Sequence, residues 1–352
     1  MTIACLMKSC RLILVCVILV LPHSTFAQER LPQHITPKVQ KSVAKGLEWL
    51  AKHQGPDGNF PDYQDGNAYP AAMTALAGMA FLANGNTQNR GPYADNIHRA
   101  MMFCMSQAQP SGLIAASADF NSRPMYGHGF SLMFLATAYG METDEKLRPQ
   151  LRKVIINAIQ LTAQAQSQFG GWTYSPGGGD EGSVTVTQMQ GLRAAQNAGF
   201  TVPKGTIEAA VKYLELCRSP GGGIEYSYGS GGGPRLAISA AAIATLYNAG
   251  EYDSKLADEC LNWVWKQFEP LGNNWSKGGG HDYYTHLYAA QAFYQAGDKY
   301  WNDYFPHARD QLLSQQQGDG SFNGDGIGPV YGTSVCMIIL QLPYKFLPIY
   351  QR

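Results

Sequence analysis

Val43-Ala44-Lys45-Gly46-Leu47-Glu48-Trp49-Leu50-Ala51-Lys52-His53-Gln54, then a Gly-rich turn, then Ala71-Ala72-Met73-Thr74-Ala75-Leu76-Ala77-Gly78-Met79-Ala80-Phe81-Leu82: this pair of stretches decides the fold. In the first, apolar residues return every three or four positions, which makes a helix with one wet face. The second is apolar nearly all round, and a helix without a polar face is buried. The pair recurs six times. The half-exposed stretch returns at 158–166, 210–216, 260–267 and 308–316, and the buried one returns clearly at 240–246. Gly85, Gly140, Gly199, Gly250 and Gly297 close successive buried stretches at intervals of 47 to 59 residues. A period near fifty, varying in the turns, marks a repeat architecture. Glycine after the last turn suits a left-handed helix cap.

Six pairs make twelve helices and an all-α chain. Neither terminal repeat reads as a polar cap, which an open array needs, so the expectation is a closed double ring. Buried helices form an inner barrel pointing one way, and the wetter helices run back outside it. The Gly-rich turns that precede the inner helices then gather at one mouth.

Residues 1–27 read as a signal peptide. Lys8 and Arg11 make a positive start, residues 12–21 are a short apolar core, and Thr25-Phe26-Ala27 resembles a cleavage site. Ten apolar residues are too few to span a bilayer. The mature chain is expected to be exported, periplasmic or secreted after cleavage near Ala27, and to meet a membrane only through an uncleaved leader. Residues 28–37 are a short N-terminal segment, and 38–352 form the repeat domain. Without Lys8 and Arg11 the chain carries 24 basic against 26 acidic residues. No basic patch stands out, which argues against nucleic acid as a partner. Cys104, Cys217, Cys260 and Cys336 lie in helical stretches with no Cys-x-x-Cys pair and read as buried thiols.

The turns carry a resemblance. Gln54-Gly55-Pro56-Asp57-Gly58-Asn59-Phe60 and Gln317-Gly318-Asp319-Gly320-Ser321-Phe322 resemble the Gln-x-x-Asp-Gly-x-aromatic motif of the prenyltransferase and squalene-cyclase repeat. Gly170-Gly171-Trp172 and Asn273-Asn274-Trp275 are weaker copies. The resemblance covers about residues 38–345 and implies an α/α toroid of six helical hairpins. It departs from the chemistries of that family. Where protein prenyltransferases carry zinc-binding Asp-x-Cys, this chain has Leu236-Ala237-Ile238-Ser239, and Asp282-Tyr283-Tyr284-Thr285-His286 offers one ligand of three. The Asp-x-Asp-Asp acid of class II cyclases and the Gly-Cys-Gly-Glu-Gln of thioester proteins are absent. No metal and no cofactor is implied. The chain is most similar to exported single-toroid members of unassigned function.

Candidate site residues precede or open the inner helices, where free N–H groups and helix dipoles favour anions or carbonyl-rich ligands. They are Tyr69, Tyr126, His128, Asp180, Glu181, Ser183, Thr185, Arg235, Tyr283, Tyr284 and Tyr331. Tyr226, Tyr228, His281 and Asp325 fall in the same turns. Asp180, Ser183, Thr185 and Asp282 also suit helix N-caps. Arg235 calls for an acidic partner such as Glu225 or Glu181. Asp282 and His286 share a helix face four residues apart and are the candidate catalytic pair, an orienting acid and a base. Gly177-Gly178-Gly179, Gly231-Gly232-Gly233 and Gly278-Gly279-Gly280 lack the phosphate-loop ending and read as rim turns.

These features point first to a toroid that holds a small molecule (lipid or glycan) or a protein partner in its central cavity. An enzyme acting on an isoprenoid or lipid is the alternative. A glycan-active hydrolase or lyase is a third reading, with Asp282 paired to Asp180 or Glu181.

Overall fold

Helices alternate between two concentric rings. The computed structural model describes residues 31–61, 69–120, 123–268 and 281–351. The leader at 1–27, Asn273-Asn274-Trp275 and Gly278-Gly279-Gly280 lie outside the described residues. The outer helices are α1 (Pro37–Lys52), α3 (Ala94–Ser106), α6 (Leu147–Gln164), α8 (Lys204–Leu216), α10 (Lys255–Phe268) and α12 (Asp298–Gln315). The inner helices are α2 (Pro70–Leu82), α5 (Pro124–Tyr139), α7 (Gly182–Asn197), α9 (Leu236–Ala249), α11 (Asp282–Ala296) and α13 (Pro329–Gln341). A single turn, α4 (Ser117–Phe120), precedes α5. Among the described residues there are isolated bridges but no strand.

The inner ring closes. Each inner helix packs on the next, and α13 packs on α2. Every residue of α2 is buried, as its all-round apolar sequence requires. In the outer ring α1 packs on α12 and α13. Side chains seal the seam: Trp49 Nε1 donates to Asp319 Oδ2 at 3.1 Å, and Asn84 Nδ2 donates to Gln341 Oε1 at 2.7 Å.

One turn device spaces the hairpins. Gln54 Nε2 donates to the carbonyls of Gly58 in its own turn and Asn96 in the next outer helix, both at 2.9 Å. Gln166 repeats this to Gly170 and Thr206, and Gln316 repeats it to Gly320 and Ser42. The last copy joins the end of the chain to its beginning. Gly58 and Gly320 have φ of 90° and 104°, and each lies flat against a carbonyl of the next outer helix, where no Cβ fits. Gly112, Gly170 and Gly222 do the same in three other repeats. Two residues on, a buried Phe60, Ile114, Trp172, Ile224 or Phe322 is wedged between the rings.

Two departures from regular symmetry shape the interior. The small residues Ala240, Ala241, Ala242 and Ala244 make α9 thin, and its neighbours α7 and α11 meet across it. Gln190 Nε2 donates to Gln291 Oε1 at 2.6 Å, and Tyr284 Oη to the Ser183 carbonyl at 3.3 Å. The chain's last residues then cross the C-terminal end of the barrel. Short 3-10 turns at Leu342–Tyr344 and Pro348–Tyr350 lead Ile349 and Tyr350, both buried, onto α7. Of the glycines expected as left-handed caps, Gly85, Gly199 and Gly250 have φ of 80–90°, whereas Gly140 stays right-handed. All four cysteines among the described residues are buried.

Candidate functional site

The inner helices begin at one mouth. Their N-cap residues in ring order are Tyr69, Arg123, Glu181, Arg235, His281 and Gly328. Pro70, Pro124 and Pro329 occupy the first helical position, where a missing N–H costs nothing. With α7 and α11 joined across α9, the open space lies on the opposite side of the barrel. A cavity of about 280 Å³ is lined there by residues of α2, α5, α11 and α13 and the loops before them. Between Tyr69 and Leu76 it is about 10 Å deep, at 1.5 Å rise per residue.

Its lining is graded. Ala72, Met73, Leu76 and Phe130 form the deep wall. Tyr69, Tyr126, Tyr284 and Tyr331 make a collar, with Tyr69 edge-on to Tyr126 at 6.5 Å. Arg123, His281 and Asp325 stand at the entrance. Arg123 lies 4.3 Å over the ring of Tyr174, and Arg235 lies 4.6 Å over Tyr226. The hydroxyls of Tyr174 and Tyr226 are bonded to each other, so the two guanidiniums sit on one joined platform. Among the described residues neither arginine forms an ion pair. Sequence reasoning expected Glu225 or Glu181 to pair with Arg235. Instead Glu225 accepts from Ser219 and the Gly231 N–H, and Arg235 stacks.

Behind the collar is a buried carboxyl. Glu181, and not Asp180, Ser183 or Thr185, caps α7. Its oxygens accept from the N–H groups of Ser183 at 2.8 Å and Val184 at 2.5 Å, and from Ser183 Oγ at 2.6 Å. Since Ser183 donates to Glu181, the hydroxyl of Tyr126, bonded to Ser183 Oγ, donates in turn. Tyr126 thus turns its oxygen lone pairs, not its proton, toward neighbouring space. Burial raises the Glu181 carboxyl above its ordinary range against the pull of those donors. Burial also raises Tyr126, with Glu181 adding to it.

The remaining candidates are dispersed. Asp180 points away and accepts from Ser167 Oγ at 3.1 Å. His128 and Thr185 hold the turns: His128 Nδ1 accepts the Ile114 N–H and Thr185 Oγ1 accepts the Trp172 N–H, each at 3.1 Å. Tyr283 is buried beside Tyr331, 6.4 Å between rings. The cap expected of Asp282 comes from the adjacent repeat: Asp325 Oδ2 accepts the Tyr283 N–H at 2.7 Å. His286 is buried on the outward face of α11, its Nδ1 2.8 Å from Tyr304 Oη and its ring against Phe268. Of the candidate catalytic pair, then, neither Asp282 nor His286 is among the cavity-lining residues. The acid that lines it is Asp325, held at φ 52° and half-buried, its carboxyl raised first by burial and then by Asp282.

Arg123 escaped the sequence reading. It precedes Pro124 as Arg235 precedes Leu236, both as N-caps of inner helices, so the rule that picked Arg235 also picks Arg123. Among the described residues no three His, Cys, Asp or Glu side chains converge to hold a metal ion. What the arrangement can do is bury an apolar body and meet a polar or anionic end at the mouth.

No protein-family model matches the chain. Over 206 residues it is 22% identical to the drimenyl diphosphate synthase of Streptomyces showdoensis, which covers 58% of this chain and 36% of that protein. The chain therefore spans little more than a third of that relative. Among solved structures it is similar to the type II terpene cyclase MstE from Scytonema in complex with geranylgeranyl dihydroxybenzoate. The TM-score is 0.60 at 14% identity, over 89% of this chain and 98% of that one. It is also similar to an inactive variant of an α-1,6-mannanase from Salegentibacter sp. in complex with α-1,6-mannotriose. Here the TM-score is 0.63 at 9% identity, over 87% and 99% of the two chains. The chain is an α/α toroid, the fold it shares with these terpene cyclase and mannanase structures.

Proposed function

We propose that this protein binds a small amphipathic molecule in the central cavity, its apolar body inside and its polar or anionic end at the mouth. The observation that carries this reading is the grading of the lining. Ala72, Met73, Leu76 and Phe130 give way to a tyrosine collar and then to Arg123 and His281. Apolar pockets with a few placed polar groups are the usual form of small-molecule sites. Toroids of the same fold hold a prenylated aromatic acid in one case and a mannotriose in another. In this reading the protein is exported, periplasmic or secreted, and works without a bound zinc or an Asp-x-Asp-Asp acid. The leader features at Lys8, Arg11, residues 12–21 and Ala27 support export.

A second reading rests on Asp325. A half-buried carboxyl with a raised pKa in an aromatic cavity is suited to donate a proton, which supports an enzyme acting on an isoprenoid or lipid. The glycan reading with Asp282 paired to Asp180 or Glu181 has less support, because Asp180 is bonded to Ser167 and Glu181 to its own helix.

Native mass spectrometry of protein purified from its own host tests the first reading. The expected result is a retained small molecule that organic solvent releases. A protein that carries none, and shows no saturable binding of decanoate by calorimetry, overturns it.

A further inference from the structure

The entrance of the cavity continues outward as a row of aromatic rings. Tyr69 meets Tyr126 at 6.5 Å between centroids, and Tyr126 meets Tyr174 at 6.0 Å. The Tyr174 hydroxyl is bonded to that of Tyr226. The row therefore runs from the collar, past the loop before α7, to the loop before α9. Tyr174 and Tyr226 are half-buried, and an exposed guanidinium covers each: Arg123 at 4.3 Å and Arg235 at 4.6 Å. The two stacking distances and the hydroxyl bridge between the rings keep the guanidiniums within about 17 Å of each other.

Stacking occupies the flat face of a guanidinium and leaves the N–H donors on its edge free. Arg148 shows a purely structural case. It lies 4.1 Å over Tyr139, and its Nη1 donates to the Tyr139 and Glu142 carbonyls at 3.0 and 2.8 Å. Among the described residues the side chains of Arg123 and Arg235 make no such bond and no ion pair. The acids of the mouth are engaged or stand elsewhere. Glu181 is buried and accepts from the start of its own helix, and Glu225 accepts from Ser219 and Gly231. Asp282 and Asp325 belong to the α11 and α13 side. Two positive charges, ordered by stacking along a line that leads out of the cavity, complement two negative ones.

We propose that the polar end of the ligand carries two separated anionic groups, the first held by Arg123 in the entrance and the second by Arg235 on the rim. The site is then longer than its cavity. The apolar body fills the space between α2, α5, α11 and α13, and the head lies along Tyr174 and Tyr226. The class of ligand is a diacidic amphiphile. This rests on the reading of the cavity as a binding site, and the test separates the two.

The probes are N-decanoyl-γ-glutamylglycine, which has two carboxylates on a flexible spacer, its glycinamide, which lacks the outer one, and decanoate. Each is titrated by calorimetry into the full chain and into the Arg235→Gln, Arg235→Lys and Arg123→Gln variants. The wild type is expected to bind the diacid about tenfold more tightly than the glycinamide. Arg235→Gln should bring the two within about twofold by weakening the diacid alone, and Arg235→Lys, which keeps the charge, should retain part of the preference. Arg123→Gln should weaken both probes and leave their ratio in place. Arg235 is exposed, so its variants should melt at the wild-type temperature. Equal binding of diacid and glycinamide by the wild type overturns the second anion site while leaving the cavity reading in place. So does a preference that survives Arg235→Gln, an equal loss of both probes in that variant, or binding of decanoate alone. Failure of a folded wild type to bind any of the three overturns both.

Discussion

Nδ1 of His128 accepts the backbone N–H of Ile114 at 3.1 Å, the place filled by a hydroxyl in four other repeats. Thr74, Thr185, Ser239 and Thr333 accept the equivalent N–H of Phe60, Trp172, Ile224 and Phe322 at 2.9–3.1 Å. A backbone N–H can only donate, so Nδ1 is unprotonated and Nε2 carries the hydrogen, 2.9 Å from Thr162 Oγ1. The ring is neutral in the folded chain, and burial lowers its pKa to about 4.

A depressed pKa makes His128 a source of acid sensitivity. Between pH 6.5 and about 4 the unfolded chain binds a proton that the folded chain does not, so stability falls as pH drops through that window. The loss approaches roughly 3 kcal/mol at the low end, at 1.36 kcal/mol per pKa unit. His128→Thr, which supplies the hydroxyl of those four repeats, should flatten the urea-unfolding midpoint across this range. An unchanged pH profile would show that other groups dominate.

Gly170 tests the turn device. Its φ is 102°, and a Cβ there would strike the Ala209 carbonyl of α8. Gly170→Ala should cost about 2–4 kcal/mol, combining left-handed strain with overpacking. Gly205→Ala is the control, because Gly205 lies within α8 with open space around its Cα. Alanine there should stabilise by up to about 1 kcal/mol. Paired denaturant titrations decide between the two signs.

Arg123 should set the affinity for the charged end of a ligand. Arg123→Gln is expected to weaken decanoate binding about tenfold, as for loss of a charged hydrogen bond. Binding of uncharged decanol should hardly change. An equal loss for both probes would mean that the side chain packs rather than pairs.

Asp325 should be destabilising as a carboxylate. Its raised pKa means that the folded chain keeps a proton the unfolded chain sheds, so its contribution declines as pH rises through that window. Asp325→Asn removes the titration. Asparagine tolerates φ 52°, and its amide oxygen still accepts the Tyr283 N–H. The melting temperature at neutral pH should therefore stay equal or rise. A marked fall would show that the anion helps the α11 N-terminus more than its burial costs. If the second functional reading holds, the same variant loses turnover while keeping its fold.

Much of the architecture was legible locally. Periodicity in 43–54 and its absence in 71–82 separate outer from inner helices, because solvent contact on one face dictates one wet stripe and enclosure dictates none. The Asp-Gly turns of Gly58 and Gly320 were legible for a similar reason, since only glycine fits a left-handed residue pressed on a carbonyl. Of the residues named before or at the start of the inner helices, Tyr69, Tyr126, Tyr284 and Tyr331 line the cavity. His128, Thr185 and His286 shared that address but not that role. A helix residue points wherever its turn of the helix aims it, and its neighbours in space are remote in sequence.

From sequence alone came the helix inventory, the repeat and the closed double ring, because burial pattern and turn stereochemistry are written within a few residues of each other. Tertiary structure alone decided that α9 is thin enough for Gln190 to reach Gln291, which moves the cavity to the α2, α5, α11 and α13 side. It alone brought Asp325 to the start of α11 and joined Tyr174 to Tyr226. These depend on how six hairpins share one axis, a sum of contacts between segments far apart along the chain.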